Sequence, residues 1–151
     1  LAYAFGHFMS GDDVDGPEVV QLYRSRFQPN DWLREPKTIV AVSVFCAETT
    51  ELAEKGSMSS LLWGIQTAKG ESSGGIPSAE AALQYRLSDT DTRQLQRSRE
   101  KMIIGNPHEV RQRLRELQLL YRADELMLVT IAHSGEDRLN SYRLIAEECG
   151  L

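Results

Sequence analysis

The sequence predicts an α/β fold of three consecutive parallel β/α units. Apolar or β-branched runs at residues 1–8, 38–47 and 126–131 each lead through a polar break into a stretch with helical hydrophobic spacing. The middle run is apolar enough to be covered on both faces, as strands of parallel sheets are. At 151 residues the chain suits one domain.

The first strand, residues 1–8, starts apolar at once and runs into a polar, glycine-containing loop ending at Gly16. Pro17 takes a first-turn position, and Val19, Val20, Tyr23 and Phe27 then mark one buried helix face. After a loop holding Pro29 and Pro36, residues 38–47 form the second strand. Thr49 or Thr50 caps the next helix, which runs to Ile65 and is expected to be broken or irregular because it contains Gly56 and Gly64. Residues 69–77, rich in glycine and serine, read as a flexible excursion, with a helical segment over 79–99 interrupted around 88–92. Asn106, Pro107 and Glu109 spell a capped helix start, with Val110, Leu114, Leu117 and Tyr121 as its buried stripe. The third strand, residues 126–131, precedes a last helix capped by Ser134 and expected to bury Leu139, Tyr142, Ile145 and Cys149 before Gly150 stops it.

Right-handed crossovers put the helices of three parallel strands on one face, leaving the other face and both edges open. Strands this apolar need cover. The chain is therefore expected either to pair with another chain or to form the last part of a (β/α)8 TIM barrel, which takes about 250 residues in full. Residues 1–151 then make one partial-barrel domain, and the abrupt start is accounted for.

Composition narrows the partners. A net charge of −5 disfavours nucleic acid and anionic membranes, and no apolar run reaches the roughly 20 residues of a membrane span. Cys46 and Cys149 have neither metal spacing nor disulfide density, which fits buried thiols in a reducing cytoplasm. No metal site is expected. Arg93, Arg97, Arg99 and Lys101 read as a solvated helix face.

Six short motifs occur in order: Ala4-Phe5-Gly6-His7-Phe8, Tyr23-Arg24-Ser25-Arg26-Phe27-Gln28-Pro29, Ile76-Pro77-Ser78-Ala79-Glu80, Ile104-Gly105-Asn106-Pro107-His108-Glu109-Val110, Ala123-Asp124-Glu125-Leu126-Met127 and Ser141-Tyr142-Arg143-Leu144-Ile145-Ala146-Glu147. Together they resemble the C-terminal part of the bacterial luciferase-like monooxygenases. The resemblance implies barrel strands six to eight of a protein using FMN or deazaflavin. In complete form such a protein oxidises a small organic substrate with reduced flavin and O₂, with a flavin reductase as possible partner. It also implies that most flavin contacts, including a serine-containing turn that grips the phosphate, lie upstream of residue 1, so the isolated chain is expected to bind flavin weakly or not at all. The alternative is a catalytically inactive relative acting as a homo-oligomer or accessory subunit.

Barrel sites lie at the C-terminal ends of the strands. His7 is the candidate acid/base, matching the family's His-Phe step; its competing role is a loop histidine with a structural partner. Phe8, Glu48, Thr130 and His133 are candidates for the cofactor or substrate pocket. Glu48 has a competing role beside the following helix N-terminus, and Cys46 reads as core. His133 next to Ser134 lacks the glycine-flanked elbow of a nucleophile.

Overall fold

The computed structural model describes residues 2–7, 15–71 and 74–151. In chain order the elements are β1 (Tyr3–Gly6), α1 (Gly16–Arg26), β2 (Thr38–Cys46), α2 (Thr50–Ala68), α3 (Ala79–Gln84), α4 (Asp89–Glu100), β3 (Met102–Gly105), α5 (Pro107–Tyr121), β4 (Glu125–Val129) and α6 (Gly135–Cys149). All strand pairings are parallel and all run through β2. Strands β1 and β4 both pair with residues 39–41 of β2, so they occupy its opposite edges. The sheet has four strands, and within it β1-β2-β4 is the run of three parallel strands expected of a partial barrel. Strand β3 pairs with residues 43–46, beyond the reach of β1.

The helices start where side chains satisfy their free N–H groups. Asp15 accepts from the Glu18 N–H ahead of α1, and Thr49 from the Leu52 N–H ahead of α2. Asn106 and Glu109 form a reciprocal capping box on α5, and Ser88 and Asp91 do the same on α4. At the far ends, Gly150 closes α6 in the left-handed conformation, and Arg122 closes α5 the same way at φ 49°.

Alternation along β2 divides the core. Val40, Val42, Val44 and Cys46 face α1, α5 and α6 and meet Val20, Val110, Leu114 and Ile145. On the other face Phe45 packs with Ala47, Ala53 and Ala132, whereas Ile39 and Ala41 stay half-buried. Their neighbours on the same face, Ala4 and Met127, are exposed. The open sheet face expected from three parallel strands is thus present at the N-terminal half of β2.

Several expectations need correction. Helix α2 runs unbroken for 19 residues. Gly56 does not weaken it; the position is close to the Phe45 ring, where a Cβ would come within 2.5 Å of the ring carbons. The interruption between α3 and α4 falls at residues 85–88, slightly earlier than expected. Strand β3 was not foreseen, and β4 ends at Val129. In α6 the buried residues are Ser141 and Ile145, while Leu139 and Cys149 are exposed and Tyr142 is at the surface. Ser141 takes the inner position because its hydroxyl accepts the Cys46 N–H at 3.0 Å, satisfying the last backbone donor of β2. Of the excursion, Ser72 and Ser73 lie outside the described residues. Its ends are held by the Lys69 ion pair with Asp91 and by a hydrogen bond to the Ile76 carbonyl.

Candidate functional site

A cavity of about 350 Å³ opens at the C-terminal end of β2. Phe45, Ala47 and Leu52 give it apolar walls, and Glu48, Lys55, Glu80, His133, Asp137 and Asn140, with the hydroxyls of Ser59 and Ser78, give it polar ones. Glu48 follows β2, His133 follows β4, and Asp137 and Asn140 come from the first turns of α6. Lys55 comes from α2 and Glu80 from α3, so the side excursion between β2 and β3 supplies one wall.

The polar groups are held in place. Asn140 Nδ2 donates to Glu48 Oε1 at 2.9 Å, and Arg143 Nη2 donates to Asn140 Oδ1 at 2.8 Å. The Asn140 amide, the Glu48 backbone N–H and the Arg143 charge hold the Glu48 carboxyl below the usual carboxylate range. Lys55 pairs with Glu80 at 3.1 Å, and the Glu80 carboxyl is lowered by its own backbone N–H and by Lys55. His133 Nδ1 sits 2.7 Å from the Ile76 carbonyl oxygen. A carbonyl only accepts, which assigns the ring proton to Nδ1.

Two of the sequence-derived candidates, Glu48 and His133, therefore share one cavity. Thr130 is not in its lining: the buried Thr130 hydroxyl donates to the Val44 carbonyl at 2.9 Å, joining the end of β4 to β2. His7 is placed against α5, with Nδ1 2.8 Å from the Tyr121 hydroxyl and the two rings edge to face at 5.6 Å. Burial, with Lys101 adding, lowers the His7 imidazole below its ordinary range, and burial pushes the Tyr121 phenol up to about 12. Phe8 lies outside the described residues. Cys46 is core, as expected, its thiol raised to about 11 chiefly by burial. Sequence reading missed Lys55, Asp137 and Asn140. Their one sequence signal is position, in the first two turns of helices that follow strands β2 and β4.

Among the described residues no cluster of metal-ligating side chains occurs, and no helix is long and apolar enough to cross a membrane. Arg99 of the basic helix face pairs with Glu54 of α2.

No family model matches the chain. The Bacillus subtilis (strain 168) protein YwcH is 39% identical over 148 residues, covering 96% of this chain and 43% of that protein. The crystal structure of apo-MsnO8 matches 100% of this chain and 45% of its own, with a TM-score of 0.85 and 29% identity. A luciferase-like monooxygenase of Escherichia coli (strain K12) is 24% identical over 144 residues, 95% of this chain and 42% of that protein. The chain is similar to a luciferase-like monooxygenase over nearly its whole length. It spans less than half the length of these relatives. The luciferase-like relationship and the parallel order β1-β2-β4 agree on a partial (β/α)8 barrel.

Proposed function

We propose that this chain is part of a flavin-dependent luciferase-like monooxygenase and that the strand-end cavity is the substrate side of its site. The observation that carries this reading is that Glu48 and His133, from the ends of two adjacent parallel strands, line one cavity at the end of the sheet where barrel enzymes carry out chemistry. In complete form the protein oxidises a small organic substrate with reduced flavin and O₂, the flavin being FMN or a deazaflavin supplied by a reductase in the cytoplasm.

The cavity does not fit a flavin phosphate. Its ammonium, Lys55, is paired with Glu80, and Glu48 and Asp137 add further negative charge. A phosphate here would face carboxylates. The phosphate grip is therefore assigned outside this cavity, and the part played by the cavity is to bind and orient the substrate. A second reading is a relative that has lost catalysis and acts as an accessory subunit or homo-oligomer. The half-open sheet face at Ile39, Ala41 and Met127 then takes a second copy.

Titration of the chain with FMN, followed by flavin fluorescence, separates the readings. Binding at micromolar flavin, with substrate oxidation once reduced flavin and O₂ are supplied, supports the monooxygenase reading. No binding at high flavin defeats autonomous catalysis and leaves either the accessory role or a part that works only with the rest of a longer monooxygenase.

A further inference from the structure

The charged lining of the cavity is net negative, with the carboxylates of Glu48, Glu80 and Asp137 against the single ammonium of Lys55. His133 uses Nδ1–H on the Ile76 carbonyl, so the neutral ring presents Nε2 as an acceptor. Glu48 presents a carboxylate with room for about four hydrogen bonds, of which Asn140 supplies one. The Asn140 amide cannot turn its nitrogen into the cavity, because a flip would break its bonds to both Glu48 and Arg143. The Lys55 charge is answered by Glu80 at 3.1 Å. The cationic and amide donors of the wall thus face its own carboxylates, and the Ser59 and Ser78 hydroxyls add neutral donors.

We propose that Glu48 and His133 Nε2 bind a small organic substrate that carries an O–H or N–H donor and no negative charge, such as an alcohol, a phenol or an amine. The inference builds on the reading of this cavity as the substrate side. An anionic substrate would meet the Glu48 and Asp137 carboxylates, and the one cation of the described lining, Lys55, is already paired with Glu80. The apolar walls at Phe45, Ala47 and Leu52 take the hydrocarbon part. In this arrangement Glu48 and His133 select the substrate, and Asn140 and Arg143 act as positioning residues for Glu48.

The test uses benzylamine, benzyl alcohol and benzoate, which share a ring and differ in charge and donor capacity. Long-range ¹H–¹⁵N spectra of the histidine rings, assigned with His133→Gln, report the tautomer and contact with the ligand. The expected result is an Nδ1–H tautomer in the free protein, a shift of the His133 Nε2 signal with benzylamine and benzyl alcohol, and none with benzoate. Glu48 is exposed, so Glu48→Gln keeps the fold and is expected to weaken benzylamine binding about tenfold, the loss of one charge-assisted hydrogen bond. An Nε2–H tautomer, benzoate binding as tight as benzylamine, unchanged benzylamine binding in Glu48→Gln, or no binding of any of the three overturns the proposal. None of these readouts needs flavin, so a chain that fails to bind FMN defeats autonomous catalysis without touching them.

Discussion

The Lys69 ammonium lies 2.7 Å from the Asp91 carboxylate, tying the end of α2 to the first turn of α4. Asp91 also receives the Ser88 N–H at 3.1 Å and the Ser88 hydroxyl at 2.8 Å. Lys69 first, and then these two bonds, hold its carboxyl down to about 2. The ordinary value in an unfolded chain is about 3.9. The folded value is the lower one, so Asp91 contributes its full stability above about pH 4 and loses it as pH falls towards about 2. Asp91→Asn is expected to lower stability at neutral pH and to flatten the acid limb of a stability curve over that window. Parallel curves for the two proteins would refute the assignment.

Gly56 and Gly64 share α2 but meet different surroundings. A Cβ at position 56 would come within 2.5 Å of the buried Phe45 ring, whereas one at position 64 meets nothing within 4 Å. Helix propensity favours alanine over glycine by about 1 kcal/mol at either site, and overpacking costs about 1–3 kcal/mol. Gly64→Ala is expected to stabilise by up to about 1 kcal/mol, and Gly56→Ala to destabilise by about 1 kcal/mol. Urea unfolding midpoints read the difference, and equal stabilisation by both would show that the ring does not press on position 56.

Thr130 was a pocket candidate that the fold uses between strands. Thr130→Val leaves the Val44 carbonyl without its hydroxyl donor and is expected to cost about 1–2 kcal/mol. Benzylamine affinity should stay within a factor of about two, since Thr130 is not in the cavity lining. Normal stability with lost affinity would return Thr130 to the site.

Signals that act within a few residues were readable in the chain. The Asn106, Pro107 and Glu109 cap, the stripe Val110, Leu114, Leu117 and Tyr121, and the β-branched run of β2 all occur where expected. Strand β3 was not readable, because Met102, Ile103, Ile104 and Gly105 carry no period and become a strand only by pairing with the end of β2. Gly56 was misread for a related reason: a glycine that admits a distant ring looks, in sequence, like one that breaks a helix. The face of α6 was misjudged because a backbone donor at Cys46 draws the small, polar Ser141 inward in place of Leu139.

The site divides the same way. Glu48 and His133 were accessible from sequence because each follows a β-strand run, and strand ends are where a parallel sheet gathers its chemistry. Lys55 and Asn140 were not, since which side of a helix faces a strand end depends on how the crossover packs. His7 also follows a strand, yet its ring turns to Tyr121, a residue 114 positions away. Capping, β-branching and turn chemistry are local energies, so they set the order of strands and helices before any long-range contact forms. The convergence of Glu48, His133 and Asn140 on one cavity depends on strand register and helix rotation, which only packing of the whole sheet decides.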